Sequence, residues 1–520
     1  MTVTATQPEK VEPEVGQLPA GWTRTILEEV TLPVFSISIR NKPAGSFKYI
    51  DIGSIDNKLL KIVAPQELNW DKAPSRAQQI VASSDVVFST VRTYLKNIAL
   101  VPDHLDGEIA STGFCILRPA GEIAGEFIYY LAQSRDFLES LGRVQRGTSY
   151  PAVRDSDVKE QRFFLPPLAE QRRIVTKIEE LFSKLDAGVQ ELKRTRALLK
   201  RYRQSVLHAA VTGELSRGWR EAQGSELEDA RHLLAHILDE RRARWATSGR
   251  KGKYAEPQEP DVVGLPELPK GWVWVSVGEL LGAPILNGLS IRGSDSPPGT
   301  AALRLNAMTE TGIDFSKIRF LPIEADEVDD LHIQAGDFFV SRGNGSLHLV
   351  GRGTIAQTPP FTCIFPDTMM RLRFLGQLNG WAKTIWPSRS IREQIESGAK
   401  TTAGIWKIAQ PQLANLVLPL PPLSEQSYIV AEVERRLSIL ANVEVTVEAE
   451  LKRAESTRQG ILRRAFAGQL VPQDAADEPA SVLLERIQAE RLAAGAAAVR
   501  ASGKRGRKAK WPGEQVLLAE

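Results

Sequence analysis

Few residues in this chain have the types and spacing to make or break a bond. His232 and His236 stand four apart and would share one helix face, a spacing that suits a metal ion. No third ligand lies near them, so ordinary membership of an amphipathic helix explains them better. Glu324, Asp326, Glu327, Asp329 and Asp330 form an acidic run that reads as solvated loop charge. The chain has no GxxxxGKS/T phosphate loop, no HExxH, no GxSxG elbow and no paired CxxC. It also has no nuclease carboxylate–lysine cluster and no glycine-rich cofactor loop. The chemistry that remains is recognition. Arg40, Lys42, Arg92, Tyr94, Lys96 and Arg146 fall on polar turns in the first half of the chain. Arg292, Arg342, Asn344, His348, Arg352 and Lys400 do so in the second. Arg and Asn suit bidentate contacts to base edges and Lys suits phosphates, so these are candidate DNA contacts.

The elements that must position them come in duplicate. LPPLAEQRRIV begins at Leu165 and LPPLSEQSYIV at Leu420, and the two stretches align without a gap to Leu215 and Leu470. Each reads as one long helix. The second proline suits a first helical position, and Glu170 favours the positive end of the helix dipole. Gly213 and Gly468 close the two helices. Ile178, Leu185, Leu192, Leu199 and Val206 recur every seven residues, as do Val433, Leu440, Val447, Ala454 and Ile461. That period predicts a coiled coil, with each helix ~65–75 Å long. Paired antiparallel, the helices would carry a globular block at each end, so that one chain imitates a symmetric dimer. A core helix of a bundle is the plainer alternative.

Composition agrees with a soluble multidomain chain. Its 520 residues are 42% hydrophobic and 25% charged, with a net charge of +3. No apolar run is long enough to span a membrane, and the first residues form no signal core. Cys115 and Cys363 stand alone in separate blocks, which fits a reducing cytoplasm and argues against a disulfide scaffold.

In order, residues 1–17 read as a disordered lead-in. A first recognition block, 18–164, opens with LPAGW, and the long helix follows at 165–215. A short helix, a basic strip and a linker fill 216–267. The second block, 268–419, opens with LPKGW, and the second long helix covers 420–470. Residues 471–520 hold another short helix and a basic tail. The strips SGRKGKY at Ser248 and SGKRGRKAKW at Ser502 fall at matching places and suit phosphate binding. Ser38-Ile39-Arg40 echoes Ser290-Ile291-Arg292, and SDVVFSTVRTYLKNIALV from Ser84 to Val101 echoes GDFFVSRGNGSLHLVGRGTIA from Gly336 to Ala356. Each of these longer echoes predicts a buried strand, a polar turn and a return strand. The runs Tyr49–Ile55, Asp85–Ser89, Phe114–Leu117, Phe338–Ser341 and Met370–Phe374 predict strands. Helices are expected over Phe127–Leu141 and Ser390–Ser397. Each block is thus a mixed α/β domain, and the fold is two such domains separated by two long helices in an antiparallel coiled coil. The copies differ just before each helix, GTSYPAV at Gly147 against TTAGIWKI at Thr401.

PPLxEQxxIV, AFAGQLVPQD, LLERIQAER and the two LPxGW openings closely resemble the specificity subunit of type I restriction-modification enzymes, over nearly the whole chain. The resemblance implies two target-recognition domains, each reading one half of a bipartite, asymmetric site in double-stranded DNA. It implies that the coiled coil fixes the gap and docks two methyltransferase subunits. S-adenosylmethionine would serve those subunits, and ATP with Mg a separate motor-nuclease subunit, leaving this chain non-catalytic. A scaffold with two protein- or peptide-binding heads is the alternative from another class.

Overall fold

The computed structural model describes residues 18–37, 45–147, 149–224, 228–249, 252–402 and 404–502. The lead-in at 1–17, Arg40, Lys42, residues 250–251 of the first basic strip and residues 503–520 of the tail lie outside these.

The chain forms two compact units, and each draws on both repeats. One combines the described residues up to Leu192 with those from Ala449 onward; the other is made of those within Lys193–Glu448. The first head has two four-stranded sheets. One runs in the order Gln66–Asn69, Ser46–Ile50, Ile109–Ser111, Ala77–Ile80. The other runs Thr31–Leu32, Phe114–Pro119, Val86–Ser89, Ile98–Leu100. Ile50, Val87, Ala99, Phe114 and Ile116 share one buried core. The second head repeats this plan with one strand fewer. Ile318–Leu321, Thr300–Leu303 and Cys363–Ile364 form one sheet. Leu286–Asn287, Met369–Leu372, Phe338–Ser341 and Gly353–Ile355 form the other. The parallel strand pairing recurs as well, Tyr49 beside Ile109 and Ala301 beside Cys363.

Two expectations shift locally, both through side-chain capping. The helix anticipated over Phe127–Leu141 is two helices, Gly125–Gln133 and Arg135–Gly142. Ser134 between them is extended, and its hydroxyl accepts from the Phe137 N–H at 3.4 Å, starting the second helix. The strand anticipated over Tyr49–Ile55 stops at Ile50. Asp51 then caps a 3-10 turn by accepting from Ser54 N–H at 2.9 Å.

The long helices cover Leu168–Val211 and Leu423–Phe466. In the first unit Ile174 and Ile178 share a core with Leu462 and Ala465, and Arg458 lies 4.1 Å over the Phe182 ring and pairs with Asp186. In the second, Val206, Leu207 and Ala210 share a core with Ile429 and Val433. Arg203 meets Glu444 at 3.1 Å, and Arg196 meets Glu448 at 3.8 Å. Rising numbers on one helix meet falling numbers on the other, so the pairing is antiparallel. The heptad seam is uneven. Val433, Leu440 and Val447 are buried, whereas Leu185, Leu192 and Leu199 are only half-buried and Ile461 yields its place to Leu462.

Each head is closed at its helix by a short antiparallel pair: Thr23–Ile26 with Arg162–Leu165, and Val273–Ser276 with Val417–Leu420. The repeated phrases meet there. Trp22 Nε1 donates to Glu170 at 2.9 Å, and Trp272 Nε1 donates to Glu425 at 2.8 Å. Gln171 and Gln426 donate back to the carbonyls of Pro166 and Pro421 at 3.0 and 2.7 Å. The end of each long helix abuts the opening of the other repeat's head. Gly213 is left-handed at φ +74°, and a Cβ there would lie 2.5 Å from Pro269 Cγ; Gly468, at φ +68°, meets Pro19 Cγ at the same distance. The short helices cross over likewise. Ala230–Thr247 starts with Ala230 N–H donating to Gly271 O at 2.8 Å, and Ala480–Ser502 with Ala480 N–H donating to Gly21 O at 2.9 Å.

Candidate nucleic-acid interface

Arg92, Tyr94 and Lys96 in the first head, and Arg342, Asn344 and His348 in the second, sit on a turn leaving the second sheet. A buried carboxylate fixes the approach to that turn. Asp85 is fully buried and pairs with Arg118 at 2.7 Å while accepting from Ala82 N–H at 2.8 Å. Asp337 is equally buried; it pairs with Arg373 at 2.5 Å and accepts from Gln334 N–H at 2.9 Å. Neither clasp was identified from sequence, although the aspartates are aligned in SDVVFS and GDFFVS.

In the first head, strand Val86–Ser89 runs into a 3-10 turn at Thr93–Leu95, flanked by Arg92 at φ +49° and Lys96 at φ +55°. Two side-chain-bearing residues in the left-handed region cost on the order of 1–2 kcal/mol each, so the turn must be held from outside. The segment before the long helix holds it. Val91 and Arg146 both bridge to Ala152, and Arg92 N–H donates to Pro151 O at 2.7 Å. The Arg92 guanidinium lies 4.4 Å over the Tyr150 ring. Arg92, Tyr94, Lys96 and Arg146 therefore belong to one turn–hairpin cluster. Lys96 is also tied to Glu455 of the second long helix at 3.2 Å, and Arg146 to Asp157 at 3.6 Å. Tyr150, Arg143 and Arg154 are exposed on the same segment and were not singled out from sequence.

The second head builds the same cluster from a different sequence. Gly343 and Asn344 pair with Lys407 and Trp406, and these pair with Lys400 and Thr401. GTSYPAV and TTAGIWKI thus play the same part: each supplies a hairpin to the candidate turn. Backbone pairing needs no particular side chains, which is why the sequences can differ. Arg342 donates to Asp367 O at 3.3 Å, and Asn344 Oδ1 accepts from Ser346 N–H at 3.1 Å. His348 lies in the 3-10 turn Leu347–Leu349, and Arg352 pairs with Glu310 at 3.2 Å. Arg292, Asn344 and Arg352 line a cavity of about 900 Å³, with Arg304 and Arg319 in its wall. Lys407, exposed beside Lys400, was missed.

The remaining reactive side chains are accounted for structurally. Burial pushes both thiols up, that of Cys363 to about 12, so neither is poised as a nucleophile. His232 and His236 are exposed on the helix Ala230–Thr247. Among the described residues no three His, Cys, Asp or Glu side chains are grouped to hold a metal ion. The acidic run forms the 3-10 turn Asp326–Leu331. No described helix is long and apolar enough to cross a membrane.

The family described as the type I restriction modification DNA specificity domain matches residues 31–194. Over 502 residues the chain is 26% identical to the type I restriction enzyme EcoKI specificity subunit of Escherichia coli (strain K12), covering 92% of this chain and 97% of that one. Over 504 residues it is 25% identical to the StySPI specificity subunit of Salmonella potsdam, with the same coverage. A solved chain, described as giving the structural basis of complex assembly and conformational transition of the type I R-M system, superposes with a TM-score of 0.62. That chain is 27% identical, and the match covers 88% of this chain and all of that one. With its duplicated head-and-helix architecture, the chain is similar over nearly its whole length to specificity subunits of type I restriction-modification enzymes.

Proposed function

We propose that each head reads one half of a bipartite, asymmetric DNA site through its turn–hairpin cluster, and that the paired long helices set the gap between the halves. The observation that carries this reading is the recurrence of one cluster on two divergent sequences. A common frame presents Arg92, Tyr94 and Arg146 in one head and Arg342, Asn344 and Lys400 in the other. Arg342 and Asn344 are suited to base edges, and Lys400 with Lys407 to phosphates. Arg40, Lys42 and the basic strips would add phosphate contacts.

The long helices also dock methyltransferase subunits in this reading, and motor-nuclease subunits join them in a cytoplasmic complex. Leu198, Tyr202, Ile439, Val443 and Val445 support a docking face, because they are exposed on helix surfaces where a solvated coiled coil would carry charge. S-adenosylmethionine on the methyltransferases, and ATP with Mg on the motor-nuclease, supply the chemistry. This chain binds the DNA and orients it, and the target adenine is flipped into the partner's pocket.

Exchange of residues 18–164 for those of a specificity subunit with another target tests the two-reader arrangement. The methylated motif should change in one half and keep the other half and the gap. A change in both halves at once would contradict it.

A further inference from the structure

The two recognition clusters share a frame but differ at the tip. In the first head, Tyr94 is 60% exposed and Tyr150 is 68% exposed, with Leu95 and Val144 exposed nearby. The corresponding turn of the second head, residues 342–349, carries no Tyr or Phe; on its hairpin Ile405 is exposed, but the one aromatic residue, Trp406, is partly buried and packed against the core. Large apolar groups on a rigid exposed turn are unfavourable unless something covers them. The charge around them selects the cover. Lys96 and Arg146 are matched by Glu455 and Asp157, and Arg92, Arg143 and Arg154 on the same two segments leave positive charge in excess. That surface suits a polyanion.

An intact duplex shows edges and phosphates but hides its base faces. Tyr94 and Leu95 offer stacking area and little hydrogen bonding, so they match a base step that has been opened. The turn is built to push. Its left-handed residues Arg92 and Lys96 are pinned by Pro151 O at 2.7 Å and by Glu455 at 3.2 Å. Arg92 is braced over Tyr150 at 4.4 Å. A pinned turn keeps its shape when it meets stacked bases.

We propose that the first head opens a base step of its half-site, with Tyr94 as the wedge that stacks on the exposed base and the Arg92–Tyr150 stack as its brace. The second head reads its half without a wedge. This inference rests on the DNA-reading function proposed above.

The test uses the full chain assembled with its methyltransferase subunits and duplexes carrying 2-aminopurine at single purine positions, avoiding the methylated adenines. Fluorescence and anisotropy are read together. One position in the first half-site should brighten on binding, and no position in the second. Tyr94→Ala should abolish the brightening and weaken binding about tenfold, while Tyr94→Phe should retain both. Tight binding with no brightening, or brightening that survives Tyr94→Ala, would overturn the wedge and leave DNA reading intact. Failure of the wild-type assembly to bind any cognate duplex would instead overturn the reading beneath it. If Tyr94→Ala removed the methyltransferase subunits from the assembly, the tip would be a protein contact and the wedge would be wrong.

Discussion

At the mount of the second head, Glu425 accepts from Trp272 at 2.8 Å, from Ser216 at 2.5 Å and from Arg220 at 2.5 Å. At the mount of the first, Glu170 is just as buried and accepts from Trp22 at 2.9 Å, but its other oxygen has no partner. The places of Ser216 and Arg220 are taken by Val471 and Ala475 in the other repeat. Compensation there is indirect: Arg173 pairs with Asp477 at 2.6 Å beside the carboxylate. Burial therefore pushes the Glu170 carboxyl up, against the opposing pull of the Trp22 bond and Arg173. Duplicated phrases have kept the bond that mounts each head, while the surroundings of that bond have diverged. A shared hydrogen bond is thus a guide to architecture, and its energetic weight depends on what completes it.

The largest separation between the mounts should come from removing charge. Glu425→Gln leaves Arg220 buried without its counter-ion and should cost about 3–5 kcal/mol. Glu170→Gln removes an incompletely paired carboxylate and should change stability by less than about 1 kcal/mol. Urea unfolding of the two variants checks this, and equal losses would break the comparison. The helix ends should instead behave alike. Gly213→Ala and Gly468→Ala each place a Cβ 2.5 Å from a proline ring at a left-handed residue. Each should lose about 2–3 kcal/mol in the same unfolding measurement.

A smaller effect is a pH dependence at the first mount. With its carboxyl raised, folded Glu170 holds a proton more tightly than the unfolded chain does. The resulting stability is fully present below the unfolded value, near 4.3, and is lost as pH rises through the higher folded value. Stability should fall with rising pH just above the ordinary carboxylate range. Glu170→Gln should flatten that slope in unfolding midpoints taken across it, and an unchanged slope would assign the titration elsewhere. The smallest effect concerns a single phosphate contact. Lys400→Ala should lower the slope of log affinity against log salt by about one and leave the methylated motif as it is.

Much of this architecture was legible because repetition and period are written in side chains. The heptads, the Pro-Pro helix starts and the closing glycines located both long helices, and the SDVVFS and GDFFVS echoes located the two strand-to-turn segments that carry the candidate residues. The Trp22–Glu170 and Trp272–Glu425 bonds were present only as two phrases repeated together, with nothing to say that they touch. The crossing of each short helix to the other repeat's head was invisible, since LLAHILDER and LLERIQAER show an apolar face without showing what it covers. The hairpins at 146–152 and 400–407 were read as a difference between the copies, because backbone pairing leaves little trace in residue identity. For the candidate contacts, Arg, Asn and Lys types gave the turns, but only the fold joined Tyr150 to Arg92 and Lys407 to Lys400.

The most direct test of two heads reading separate halves is a genome-wide map of N6-methyladenine in cells that express the neighbouring methyltransferase with or without this gene. The account predicts a split motif, two short half-sites at a fixed gap, that is present only with the gene. An assembled complex with no motif that depends on the gene, or a single continuous motif, would contradict it.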